Sequence, residues 1–338
     1  MATLETSSAA GYHSPLWVVT SYYNPAGYQR RLQNFKVFRQ FINAPLLVVE
    51  LSGSRDFQLD DSDGDIVLQL HGEDRLWQKE RLINIGAKAL PAHVKYVAWV
   101  DCDVIFLDPD WPRQALEKLR SNAMILQLFN RVFHVDNHFV DSAALQNGEF
   151  EEEALAQQSV LVESSIVPFL KVTNFCVEKL NGRDSETCVV SEPQTTPPAS
   201  GMAWAAPREL FEHVGLYDAA IIGGGDSFFL AACTGTVRAL SERSGHSAKH
   251  RYHAEVWANQ FAELIKNFGI SYLECQLIHL WHGAFSKRQY RERQQLLKNY
   301  CPTRDLQVAD SGAWQWQNPQ GALAQSVAQY FFQRSEDG

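Results

Sequence analysis

At 338 residues the chain has room for one large α/β domain or two small ones. Hydrophobic residues make up 45% and aromatics 12%, ample for a core, and a net charge of −9 argues against binding nucleic acid, which needs a basic face. Residues Met1 to Ser14 are small and polar, and no apolar run approaches the roughly eighteen residues of a membrane span. The expectation is therefore a cytoplasmic chain with a flexible tail over 1–14, no secretory signal and no transmembrane segment. Six scattered cysteines, none in a CxxC pair, read as reduced thiols.

Leu16 to Ser21 is a first strand that ends in the loop residues Tyr22-Tyr23-Asn24-Pro25. Leu32, Phe35, Phe38 and Phe41 mark one face of the helix after it. Pro45 to Leu51 predicts a second strand and Ile66 to Leu70 a third. Between them, Asp60 to Asp65 resembles a calcium loop, but its glycine is misplaced and position twelve is Gly72, so it reads as a solvated turn. Glu73 to Leu90 predicts a helix closed by Pro91.

Lys95 to Phe106 carries the strongest functional signal: an apolar strand that breaks at Asp101 and Asp103. Residues two apart on an extended chain point the same way, so these carboxylates repel one another. A hard cation such as Mn²⁺ or Mg²⁺ removes that conflict, whereas a turn cap is the plainer reading of an isolated D-x-D. The rhythm of strands and helices predicts an α/β fold, a mostly parallel sheet with helices on both faces. Ligands in such sheets collect at the carboxyl ends of strands, where Thr20 to Asn24 and Asp101 to Asp103 would both lie.

Further on, Met124 to Phe129 predicts a strand, Glu149 to Gln158 an acidic helix, and Val190 to Ser200 a Pro/Thr-rich loop, lid or insertion. Gly201 to Pro207 leads into a helix at Arg208 to Val214. Gly223-Gly224-Gly225-Asp226 precedes an apolar helix over Phe228 to Cys233. Those glycines let the backbone approach a ligand and aim Asp226 into a cleft, or merely cap the helix. Lys249 to Phe268 is a long helix, Leu277 to Gly283 a strand carrying His279 and His282, and Lys287, Arg288, Arg291 and Arg293 open a basic helix. A Trp-rich stretch and a terminal helix over Ala322 to Gln333 complete the chain.

Taken in order, these segments resemble the glycosyltransferases of the GT-A fold across residues 16–295. The resemblance rests on the opening strand with its polar turn, on Glu80, Arg81, Asn84 and Gly86, on Asp101-Cys102-Asp103, and on the Gly201–Ser227 segment with HLWHG. The second element is similar to a region of the family 2 and polypeptide N-acetylgalactosaminyltransferase groups. The Gly201–Ser227 segment is similar to the acceptor segment of the latter and of the β-1,4-galactosyltransferases, where the turn usually reads Gly-Gly-Glu-Asp. Gly225 departs from that pattern, so only Asp226 carries over.

The resemblance implies one GT-A domain over 15–300, with a nucleotide half at 15–110, an acceptor half at 120–300 and an extension at 301–338. It implies transfer of a sugar from a nucleotide-diphosphate sugar, UDP-linked foremost, to a saccharide or other hydroxyl acceptor. Thr20, Tyr22, Asn24, Glu50, Arg81, Asn84, Asp101, Lys287 and Arg288 would bind the nucleotide sugar. Asp103 would ligate Mn²⁺ or Mg²⁺, Asp101 would bind ribose or the ion through water, and His279 or His282 would complete the site. Two histidines three apart on a strand face opposite ways, which favours one of them, His282 on account of the following Gly283, Lys287 and Arg288. Asp226 would be the base of an inverting transfer. Trp204, Gly224 and Gly225 would line the acceptor side, with core packing the alternative for Trp204. A sugar-nucleotide-forming nucleotidyltransferase and an inactive sugar-nucleotide-binding module are the rival readings, and a zinc hydrolase on His279 and His282 is weaker.

Overall fold

The computed structural model describes residues 13–54, 56–121, 123–136, 155–159, 161, 199–266, 269–289 and 292–338. The expected α/β architecture is present. Strands β1 (Leu16–Tyr23), β2 (Leu46–Ser52), β3 (Ile66–His71) and β4 (Tyr96–Val100) pair in parallel, interleaved with helices α1 (Gln29–Phe41) and α2 (Lys79–Ala89). After β5 (Val104–Phe106), helix α3 (Trp111–Ser121) leads to β6 (Ala123–Gln127), β7 (Arg131–His134), β8 (Leu155–Gln158) and β9 (Ala203–Pro207). Helices α4 (Glu209–His213), α5 (Gly225–Cys233), α6 (Val237–Arg243) and α7 (Ala248–Ile265) precede β10 (Gly269–Tyr272) and β11 (Gln276–His279). The C-terminal stretch adds α8 (Pro302–Asp305), a hairpin of β12 (Leu306–Val308) and β13 (Trp314–Trp316), and α9 (Ala322–Gln333).

The central seven-stranded sheet runs β10-β6-β9-β4-β1-β2-β3, and β9 is antiparallel to both its neighbours. A second sheet, β5-β11-β7-β8, stands beside it. Alternate side chains of β1 and β2 feed two cores. Leu16, Val18, Leu46 and Val48 pack with Phe35, Phe38, Trp111 and Ala115 of α1 and α3. Trp17, Val19, Leu47 and Val49 pack with Leu82, Ile83 and Ala87 of α2. A sheet buried on both faces explains why these strands read as continuous apolar runs. Helix α2 lies so close that a Cβ on Gly86 would come within 2.7 Å of Val19 and 2.9 Å of Leu47 and Val49.

Several expected elements differ, each for a visible reason. The helix expected from Glu73 begins only at Lys79, because Asp74 and Gln78 are drawn off to accept hydrogen bonds from the backbones of Trp316 (2.7 Å) and Trp314 (2.6 Å). Leu155–Gln158, expected as the end of an acidic helix, pairs with β7 as a strand, since that edge supplies backbone partners; residues 149–154 lie outside the described residues, as do the tail over 1–12 and 190–198 of the Pro/Thr-rich loop. The strand expected to reach Gly283 ends at His279. The basic helix is replaced by 3₁₀ turns at Phe285–Arg288 and Glu292–Leu297. In the acidic turn, Asp63 is buried and paired with Lys36 at 2.6 Å rather than solvated. No described helix is long and apolar enough to cross a membrane.

Helix α7 buries His250 completely against Tyr217, Phe228, His246 and Tyr300, with no hydrogen bond to either ring nitrogen. Burial, reinforced by His246 and His253, lowers its pKa from 6.5 to about 2. The unfolded chain takes up a proton near pH 6.5 that the folded chain refuses. Stability from this group is therefore complete above pH 6.5 and declines as pH falls below it, at up to about 1.4 kcal/mol per pH unit. His250→Phe keeps a ring in place and removes the titration, so the fall of Tm between about pH 6.5 and 4.5 should flatten; an unchanged slope would contradict this origin.

Candidate active site

β1 and β4 end together at the floor of a cavity of about 680 Å³, within the size range of small-molecule sites. Asp101 and Asp103 leave β4 there, and the Asp101 N–H donates to Met202 O at 2.7 Å, tying that turn to the approach of β9. Across the cavity, Gly223 and Gly224 adopt positive φ (85° and 100°), a turn that starts α5 and puts Asp226 on its first turn. The first residue of α2, Lys79, joins the two acids: its Nζ donates to Asp101 Oδ1 at 3.0 Å and to Asp226 Oδ2 at 2.7 Å. Both carboxylates keep about a quarter of their side chain open to the cleft (27% and 26%).

On the other side of Asp101, Asp103 meets two imidazoles. Antiparallel pairing of β5 with β11 sets His279 opposite Val104, and Leu280 N–H donates to Asp103 O at 2.8 Å. The strand stops at His279, and the turn through Leu280 and Trp281 swings His282 back to the same side. The separation expected of residues three apart on a strand is thereby overturned. Asp103 lies 3.8 Å from His279 Nε2 and 3.3 Å from His282 Nε2, and the two Nε2 atoms are 3.3 Å apart. Asp103, His279 and His282 form a three-donor cluster that could hold a metal ion; Asp101, bonded to Lys79, is outside it. His134, cross-strand from His279, places its Nδ1 3.2 Å from His279 Nδ1.

Burial pushes the Asp103 carboxyl up to about 7, aided by Asp101. Burial also raises Asp101, with Asp226 adding and Lys79 opposing. It raises Glu80, the second residue of α2, to about 8. Burial opposes the charge on Lys79, but Asp101, Asp226 and Glu80 outweigh it and hold the ammonium well above its ordinary range. Both imidazoles beside Asp103 are held neutral, by burial first, then by His134 and Arg288 at His279 and by Arg288 and His279 at His282. Neutral imidazole is the form that ligates a cation.

Other expected residues are placed away from the cleft. Side chains alternate along β1, so Ser21 and Tyr23 reach the cavity while Thr20 and Tyr22 face the opposite core. Thr20 is fully buried and donates to Val100 O at 2.6 Å; Tyr22 packs on Phe35 and donates to Gln58 at 2.8 Å. Asn24 holds its own turn through Tyr28 N (2.9 Å) and Tyr28 O (2.9 Å). Glu50 is buried beneath Gln58 N (2.6 Å) and Leu59 N (3.2 Å). Arg81 pairs with Asp218 at 3.1 Å under Trp314, and Asn84 clasps the backbone of Leu216 through both ends of its amide. Trp204 is core: it is 1% exposed, sits edge-on to Phe229, and donates to Ser200 O. Lys287 is exposed, whereas Arg288 lines the cavity, as does Gly224.

Sequence reasoning passed over Lys79, His134 and the C-terminal residues. Glu336 is buried, gripping Arg31 (2.6 and 2.9 Å) and Arg334 (2.6 Å), and both arginines line the cavity. Asp337 caps the N-terminus of α1 through the N–H groups of Gln29 and Arg30. The only signal was composition, a lysine opening an amphipathic helix and a charged cluster at the end of the chain.

No protein-family model and no curated protein matches this chain. Among solved structures it is similar to S. aureus TarS. For TarS 1–349 in complex with UDP-GlcNAc, the match covers 36% of this chain and 35% of that one, at 18% identity and a TM-score of 0.25. For TarS 1–349 alone the figures are 75% and 72%, at 12% identity and 0.37. For a longer TarS chain they are 75% and 44%, at 11% identity and 0.35. In the first match this chain thus spans about a third of that TarS chain.

Replacing Lys79 by Met leaves Asp101 and Asp226 without their shared cation. Denaturant unfolding of Lys79→Met, Asp101→Asn and the double variant should show coupling of about 1 kcal/mol or more, because the lost bond is common to both single changes. Additivity within about 0.3–0.5 kcal/mol would show that the bridge contributes nothing to the folded state.

Proposed function

We propose that this protein transfers a sugar from a nucleotide-diphosphate sugar to a hydroxyl acceptor, with Mn²⁺ or Mg²⁺ bound at Asp103, His279 and His282. One observation carries the reading: that cluster and the Lys79-bridged pair Asp101 and Asp226 face a single cavity at the carboxyl ends of parallel strands. The donor set suits a divalent ion. Asp103 Oδ1 is buried without a hydrogen bond, the partner imidazoles are neutral, and a carboxylate with two imidazoles is a ligand set for first-row metals. When bound, such an ion would offset the negative charge that grows on a departing diphosphate.

The chain's own groups supply the rest. Arg31, Arg288, Arg293 and Arg334 line the cavity, and guanidinium forks suit phosphate oxygens. Glu336 fixes Arg31 and Arg334 in place, which limits the entropy lost on binding. Asp226, oriented by Lys79, accepts the proton of the acceptor hydroxyl as its oxygen bonds to the anomeric carbon. The bond from that carbon to the diphosphate breaks and its electron pair leaves with the phosphate. Attack from the face opposite the leaving group inverts the centre.

The first test is a thermal-shift panel of UDP-, GDP- and TDP-sugars with and without Mn²⁺. A ligand at a hundred times its Kd adds about 2.7 kcal/mol, so at least one sugar nucleotide should raise Tm in a Mn²⁺-dependent way, and Asp103→Asn should abolish that dependence. No response to any member would contradict the donor assignment, and binding without transfer or donor hydrolysis would favour a binding module. Asp226→Asn should retain donor binding and lose at least about a hundredfold in turnover; activity within about tenfold of the parent would refute the base role.

A further inference from the structure

Side chains paired across a ladder share one face of the sheet. β11 lies between β5 and β7, and its parallel register with β7 sets His134 beside His279. Both rings are buried with centroids 4.9 Å apart, and both line the cavity. The contact is specific, because Nδ1 of one ring lies 3.2 Å from Nδ1 of the other. Two such atoms form a hydrogen bond only when one carries a proton and the other a lone pair.

The direction of that bond decides what His279 offers the cleft. A neutral imidazole has a single N–H. Were His134 the donor, His279 would carry its proton on Nε2, the atom 3.8 Å from Asp103 and 3.3 Å from His282 Nε2. That proton would sit among the three donors of the cluster. With His279 as the donor, its proton is on Nδ1 and the Nε2 lone pair faces Asp103. Only this second form can ligate an ion there. His282 lacks such support, since its Nδ1 is buried without a hydrogen bond. His279 is therefore the imidazole of the pair that is held from behind.

We propose that His134 is a positioning residue, accepting the Nδ1 proton of His279 and so keeping the Nε2 lone pair aimed at a divalent cation. Its own proton then resides on Nε2. This rests on the metal site proposed above. The test compares two variants of nearly equal shape: His134→Asn keeps an acceptor near the Nδ1 position, and His134→Leu has none. Each is titrated with Mn²⁺ alone, and the electron paramagnetic resonance signal of free Mn²⁺ reports binding without turnover. His134→Leu should lose about tenfold or more in Mn²⁺ affinity, while His134→Asn should stay within about threefold of the parent. A purely structural histidine would change the metal-free Tm of both variants and leave their Mn²⁺ affinities alike; equal affinities would overturn the proposal. A second measurement needs no substitution. Long-range ¹H–¹⁵N spectra of the metal-free parent should show the His279 proton on Nδ1 and the His134 proton on Nε2, and the reverse placement would also overturn it. Failure of the parent to bind Mn²⁺, whatever the tautomer, would instead remove the metal reading beneath the proposal.

Discussion

Like charges crowd the cleft, and the cost of keeping them there shapes everything around it. Asp101 and Asp103 leave the same strand, Asp226 faces them from α5, and Glu80 reaches in from α2. Out of water such groups repel, and burial raises Glu80, Asp101 and Asp103 above their ordinary range. Lys79 resolves one half of the conflict by bonding Asp101 and Asp226 together. The other half, Asp103 against two neutral imidazoles, has a buried oxygen with no donor, the condition a divalent cation relieves. On the proposed reading Asp103 is the acid for the metal, while Lys79 ties Asp101 to Asp226 on the first turn of α5.

The sequence displayed the scaffold well. Continuous apolar runs marked strands buried on both faces, and the alternation of strands and helices placed the ends of β1 and β4 together. It also singled out Asp103, His279, His282 and Asp226 as residues to be gathered, and the fold does gather them in one cavity. It did not reveal which face each side chain takes. Thr20 and Tyr22 have the right address and the wrong parity, because Ser21 and Tyr23 own the cleft side of β1. The histidine spacing misled for a related reason, since β11 ends one turn earlier than its apolar pattern implies.

Lys79 was illegible for a longer-range cause. It points into the cleft because α2 starts at residue 79, and it starts there because Asp74 and Gln78 are bonded to a tryptophan hairpin more than two hundred residues away. Windowed propensity carries no such information. The C-terminal segment, which sequence alone set apart as an extension, is likewise built into the site: Glu336 holds two cavity arginines and Asp337 caps α1. Gly225 shows the same lesson at short range, as a glycine required by a neighbouring helix's carboxyl and not by its own backbone.

The most direct measurement of the central claim is anomalous X-ray scattering from crystals grown with Mn²⁺ and UDP. The expected result is one manganese peak bound by Asp103, His279 and His282, with diphosphate oxygens completing its shell and Asp226 facing the open side. A peak elsewhere, or nucleotide bound outside this cavity, would contradict the account.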